Sequence, residues 1–393
     1  MNTESPSKAR VLIVDDEPDI ETLIRQRFKR RNGNFGFEFA FARNGAEALR
    51  QVEADPDLDL VITDINMPVM DGLELISRLG HLDGRVVKSV ILSAYGDMGN
   101  IRTAMNRGAF DFLTKPIDFT DFETTLRRTR DALEIERLGV ETRQRLSALE
   151  QEIEIAAQIQ VSMLPREFPT GELFDIYAQI APARRVGGDF FDFFPINSDS
   201  VGFLIGDVSG KGVPAALFMA VSRTILRATA LQGLDPAECL AYVNKVLGTQ
   251  REGAVFVTVF YAILHTDTGD VEFCIGGHNP PYRIASTGEI VPVDEPGGIV
   301  IGLLPPEEVS YETGRFHLKA GDSLFLFTDG VTEAMNADGG FFGERRLRHA
   351  LAECAGCSSK EIAQRVLAEV AQFTEGAVQS DDITAMAVKW TPR

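Results

Sequence analysis

Between Arg10 and about Ile117 short, almost wholly apolar runs alternate with stretches of helical spacing. The runs are VLIVDD, EFAFA, LDLVITD, SVILSA and FDFLTKP, interleaved with stretches such as IETLIRQRFKR, GAEALRQVEA and GLELISRLG. A strand without a polar face must be covered on both sides, and strands that alternate with helices pair in parallel. The pattern predicts a doubly wound α/β domain of five parallel strands, residues 1–120. In such sheets ligands gather beyond the carboxyl ends of the strands, so an acid that closes a strand is a candidate site residue.

The pattern then changes. From Asp118 to about Leu164 there is no proline and one glycine. Apolar or small residues fall at Phe122, Leu126, Thr129 and Leu133, and again at Leu146, Leu149, Ile153, Ala156 and Met163. This three-four alternation slips phase between Ile135 and Thr142 and predicts a helical coiled-coil linker, residues 121–165, that pairs with a second copy of the chain. One long helix packed on its own domains is the other reading.

Residues 166–393 show period-two strands broken by turns, VGFLIGDV, AVFVTVFYAILHTDTGDVEFCIG, YRIASTGEI and DSLFLFTDG. Two pairs of helical stretches interrupt them, PAALFMAVSRTILRATALQ with PAECLAYVNKVLG, then ERRLRHALAECAG with SSKEIAQRVLAEVAQF. Grouped helices among strands linked by hairpins predict an α+β sandwich, sheets inside and helices outside.

Composition narrows the function classes. In 393 residues, 44% are hydrophobic and 25% charged, ordinary values for folded domains. The net charge of -19 disfavours nucleic acid and anionic membrane surfaces as partners. No window is apolar enough for a spanning helix and MNTESPSKAR has no apolar h-region, so a cytoplasmic protein is expected. Four cysteines are too few for a disulfide scaffold, and the Cys354–Cys357 spacing lacks the second pair a zinc site needs.

Two groups of acids carry candidate chemistry. Asp15 and Asp16 close the first predicted strand and Asp64 the third, which brings three carboxylates to one rim. Such a set requires a cation, and oxygen ligands favour Mg²⁺, with Asn66 adding a carbonyl. Ser93 and Lys115 follow the fourth and fifth strands and supply a hydroxyl and an ammonium to a transferring phosphoryl group. Asp64, central among the strands, is the expected acceptor. The segments VLIVDDEPD, LVITDINMPVMDG, ILSA and FLTKP resemble the response-regulator receiver domain. That resemblance implies phosphorylation of Asp64 by a sensor histidine kinase or a phosphotransfer protein, phosphate binding by Ser93 and Lys115, and an aromatic switch at Phe112.

The second group lies in RRVGGDFFD (Asp189), IGDVSGKG (Asp207), LFTDGVTEA (Asp329) and SDDITAMAV (Asp381, Asp382). No histidine or cysteine accompanies these acids in sequence, and oxygen-only ligands suit two Mg²⁺ or Mn²⁺ ions that activate a water for attack at phosphorus. With GGHNPP at 276–281, the ordered motifs resemble the bacterial metal-dependent serine/threonine phosphatases of the stage II sporulation protein E type. The resemblance implies metal ligation by Asp189, Asp207, the carbonyl of Val208, Asp329 and one of the acidic pair, Asp381 favoured over Asp382. His278 is a candidate near the leaving group or a structural residue, and Arg184 or Arg185 a candidate for orienting substrate phosphate.

The expected protein is a two-component response regulator with an enzyme as its output. Phosphorylation of Asp64 would control a protein-serine/threonine phosphatase that acts, by resemblance, on a phosphorylated anti-sigma-factor antagonist. A non-catalytic adaptor that binds an anti-sigma system is the alternative.

Overall fold

The computed structural model describes residues 9–29, 36–82, 85–94, 96–168, 173–248, 255–293 and 297–392. They divide into two units, residues 1–148 and 149–393. The first has β1 (Ala9–Val14), α1 (Pro18–Lys29), β2 (Phe37–Ala42), α2 (Gly45–Ala54), β3 (Leu58–Asp64), α3 (Gly72–Leu79), β4 (Lys88–Ala94), α4 (Met98–Asn106), β5 (Asp111–Lys115) and the start of α5 (Phe119–Met163). The five strands are parallel in the order β2-β1-β3-β4-β5. Successive residues of β1 serve opposite faces: Val11 and Ile13 pack with Ile24, Phe122 and Leu126, whereas Leu12 and Val14 pack with Ala48, Val52 and Leu75. The run lacks a polar face because both its faces are interior.

Helix α5 is continuous from Phe119 to Met163, as the absence of breakers predicts. Its first apolar block has a different role from the expected seam. Phe122, Leu126, Thr129 and Leu133 are buried, and Phe122 and Leu126 complete the core of the first unit, so this block is not available to a second chain. Beyond Leu133 the helix is held to the same unit by ion pairs of Arg137 with Asp59 and of Glu136 with Lys88. The second block is partly open: Leu146, Leu149 and Met163 are exposed, whereas Ile153 and Ala156 are half-buried.

The second unit has β6 (Phe174–Ala181), β7 (Phe190–Pro195), β8 (Ser200–Val208), α6 (Val213–Ala230), α7 (Pro236–Leu247), β9 (Val257–His265), β10 (Asp270–Gly276), β11 (Tyr282–Ile284), β12 (Ile290–Pro292), β13 (Gly297–Gly298), β14 (Gly314–His317), β15 (Ser323–Phe327), α8 (Asp329–Thr332), α9 (Gly343–Ala352), α10 (Ser359–Phe373) and β16 (Ile383–Trp390). One sheet runs β13-β10-β9-β8-β7, with β14 also on β10, and the other runs β12-β11-β15-β16-β6. Leu324 and Leu326 of β15 join the core shared with the first sheet, α6 and α7, while Phe325 and Phe327 face the core of α9 and α10. The period of two in LFLF thus separates two helix layers with two sheets between them.

Candidate functional sites

In the first unit the rim forms as the strand ends predict. Carboxylate oxygens of Asp15, Asp16 and Asp64 all lie within 4.8 Å of one another. Lys115 Nζ lies 2.8 Å from Asp64 Oδ2 and 2.9 Å from Asp15 Oδ2. Burial works against the Lys115 charge, yet its hydrogen bonds to Asp64 and Asp15 push its pKa up to about 12, so it stays an ammonium. Burial also raises the Asp15 pKa. A group of three carboxylates around one ammonium retains excess negative charge, and its oxygen-only donors fit a divalent cation. Ser93 is buried at the end of β4, whereas Asn66 and Phe112 are exposed.

In the second unit Asp189 is fully buried just before β7. Its Oδ2 accepts from Thr328 Oγ1 at 2.7 Å and from Thr384 Oγ1 at 2.5 Å, so the ends of β15 and β16 set its orientation. Asp207, the penultimate residue of β8, neighbours Asp189 and feels the charges of Asp329, Asp381 and Asp382. Burial, then the neighbouring Asp329, push the Asp207 pKa up to about 7. Burial, with Asp207 next, holds Asp189 well above the carboxylate range, and burial with Glu333 and Asp381 raises Asp329. Buried and half-buried carboxylates whose ionisation is opposed on three chain segments fit a doubly cationic occupant, and the donor set contains only oxygen.

The acidic pair is divided by the backbone. Asp382 is buried and accepts from Ala183 N at 2.8 Å and Gly188 N at 2.8 Å, which shapes the loop before Asp189. Asp381 points elsewhere, 2.8 Å from Lys211 Nζ, and Lys211 also donates to the Ser380 carbonyl. The paired glycines follow from this packing: a Cβ on Gly187 would lie 2.0 Å from Asp382 Oδ2, and one on Gly188 would lie 2.7 Å from the Val208 carbonyl. Only glycine admits both approaches.

Arg184 and Arg185 are both exposed, and Arg185 pairs with Glu154 of α5 at 2.6 Å. Two residues on, Gly187 exchanges two hydrogen bonds with the Gln160 amide. His278 is buried with both ring nitrogens engaged, by Thr258 Oγ1 at 2.8 Å and the Phe327 carbonyl at 3.1 Å. Burial depresses its pKa to about 4, so it is a neutral tie between β9 and β15.

Several positioning groups escaped the motif reading. Thr328 and Thr384 lie inside the motifs already noted, but nothing in a linear sequence says that two hydroxyls converge on one carboxylate. Gln160 lies 27 residues from its partner. Asp192, completely buried in β7, is held at 2.7 Å by both Arg223 and Arg227 of α6, which ties the strand after Asp189 to the helix after Asp207.

The stage II sporulation protein E family matches residues 197–391, and the response regulator receiver domain family matches residues 11–127. The phosphoserine phosphatase RsbU of Bacillus subtilis is 29% identical over 241 residues, which cover 61% of this chain and 70% of that protein. Protein IcfG of Synechocystis is 31% identical over 265 residues, 60% of this chain and 41% of IcfG. The sporulation initiation phosphotransferase F of Bacillus subtilis is 30% identical over 119 residues, 30% of this chain and 91% of that protein. Among solved structures the SiaA-PP2C domain of Pseudomonas aeruginosa superposes with a TM-score of 0.55 at 22% identity, covering 62% of this chain and 98% of that one, a likeness of fold. The chain therefore belongs to the response regulator receiver family through residues 11–127, and its residues 197–391 match the stage II sporulation protein E family.

Proposed function

We propose that the chain is a response regulator whose output is a metal-dependent phosphoserine/phosphothreonine protein phosphatase. One observation carries this reading: Asp189, Asp207 and Asp329, from three separate segments, are each pushed upward by burial, and the charges of Asp329 and Asp381 both act on Asp207. Asp189, Asp207, the Val208 carbonyl, Asp329 and Asp381 would hold two Mg²⁺ or Mn²⁺ ions, which when bound lower the pKa of a water and stabilise the oxygens of an in-line displacement. Thr328 and Thr384 fix the Asp189 carboxylate, and Asp382 fixes the loop that presents it. Arg184 reaches to within 4.0 Å of where a Gly212 Cβ would sit, beside the Asp207 loop, and is the side chain proposed to bind substrate phosphate. His278, with both nitrogens engaged, is assigned a structural role.

In the receiver, Asp64 would accept a phosphoryl group from a sensor kinase or phosphotransfer protein, with Mg²⁺ held by Asp15, Asp16, Asp64 and Asn66. Lys115 and Ser93 then bind the new phosphate, and Phe112 responds on the outer face. The likeness to a phosphoserine phosphatase supports a phosphoserine-bearing protein as substrate, and the family resemblance makes a phosphorylated anti-sigma-factor antagonist the proposed one. Asp207→Asn should lower hydrolysis of p-nitrophenyl phosphate in Mn²⁺ by about 10² or more, the usual scale for loss of a charge-stabilising group. Unchanged turnover in that variant, or full activity in chelator, refutes the two-metal reading.

A further inference from the structure

The chain carries a net charge of -19, yet one exposed face of α9 concentrates arginines. Arg345, Arg346, Arg348 and His349, with Ile290 and Ala352, line an open groove of about 610 Å³ with no acidic residue in its wall. Arg345 and Arg346 stand beside Glu344 in the first turn of α9, the positive end of the helix dipole, where cations are disfavoured. Arg346 is committed to its own domain: it donates to the Phe341 and Phe342 carbonyls and lies 4.4 Å from the centre of the Phe373 ring. Arg345 and Arg348 are exposed and, among the described residues, have no ion-pair partner. The helix is anchored to the same core as α8. Leu347 of α9 packs in one core with Val331 of α8, the helix that opens with Asp329, and Phe342 N donates to the Ala334 carbonyl.

We propose that this face of α9 docks an acidic segment of the phosphoprotein substrate. The inference rests on the phosphatase reading and names a substrate class for that site. Arg345 to Ala352 extends about 10 Å along the helix, which suits a length of acidic chain. A single small anion would be better served by a buried polar side chain, and the groove wall has none. A phosphoprotein carries about -1.5 to -2 per phosphate and is repelled by a chain of net charge -19, so a local cationic face sets both encounter and orientation.

The test uses the full chain in Mn²⁺ with three probes: a phosphoserine peptide flanked by Asp and Glu, the same peptide flanked by Lys, and p-nitrophenyl phosphate. In Arg345→Glu/Arg348→Glu the KM for the acidic peptide should rise about tenfold at low salt, with a smaller change at high salt where exposed charges are screened. The p-nitrophenyl phosphate rate should be unchanged and the KM for the Lys-flanked peptide should not rise. Equal KM changes for both peptides, or none for the acidic one, overturn the docking. Anisotropy of a labelled Glu/Asp-rich peptide without phosphate separates the two readings, since it requires no turnover. Weaker binding by the variant, with no hydrolysis by the parent, would sustain the docking and sink the phosphatase; equal binding by parent and variant would sink the docking alone.

Discussion

Asp381 and Asp382 are adjacent in the chain and differ in what surrounds them. Asp382 satisfies backbone amides of the loop that delivers Asp189, whereas Asp381 is solvent-accessible and meets Lys211. Asp382→Ala leaves buried donors without acceptors and should destabilise the domain by roughly 2–4 kcal/mol. Asp381→Asn should leave the melting temperature nearly unchanged and remove metal-stimulated hydrolysis; calorimetry and an activity assay on both variants check the division. His278 gives a residue-scale pH effect. Its folded pKa, about 4, lies below the 6.5 of the free side chain. The stability it contributes is therefore full above pH 6.5 and is lost as pH falls toward 4, because the unfolded chain takes up a proton that the folded chain refuses. The loss amounts to about 3 kcal/mol at most, at about 1.4 kcal/mol per pH unit. Urea unfolding from pH 7 to 4 should show a shallower decline for His278→Gln than for the parent.

At the scale of elements, α5 joins two kinds of helix surface. Its first four turns are receiver core, and Leu126→Ala should cost about 2–5 kcal/mol as any large core truncation does. Gly139 follows the Arg137–Asp59 anchor, and nothing lies within 4 Å of where its Cβ would be. At the other end Glu154 and Gln160 hold Arg185 and Gly187, next to the candidate catalytic loop. A signal carried along the helix would thus act on the backbone that presents Asp189. One residue inserted beside Gly139 rotates everything downstream by about 100°. Phosphatase activity should then stop responding to receiver phosphorylation while basal turnover persists; a variant that responds as the parent does rules out transmission along the helix.

For the whole molecule the question is what covers the later part of α5. Leu146, Leu149, Ile155 and Ile159 are exposed in the single chain. Pairing with a second copy through residues 146–163, and not through the receiver-bound first block, would bury them. Sedimentation equilibrium at micromolar concentration, with and without a small phosphodonor, should show a dimer in at least one state, and Leu149→Asp should weaken it. Asp64→Asn should abolish any difference between the states. A monomer throughout would leave contacts within the single chain as the route of control.

By itself the sequence determined the kind and order of elements: breaker-free α5, the strands of the first domain and the two layers of helices in the second all follow from local periodicity. It also determined which acids close strands, because that is a property of neighbours along the chain. Only the tertiary structure decided which apolar stripe of α5 is core and which is free, since both stripes have the same spacing and differ solely in what packs against them. It alone decided that Asp382 serves the backbone while Asp381 faces Lys211, and that His278 is buried between Thr258 and the Phe327 carbonyl. Those distinctions depend on contacts between segments tens to about two hundred residues apart, which no local pattern encodes.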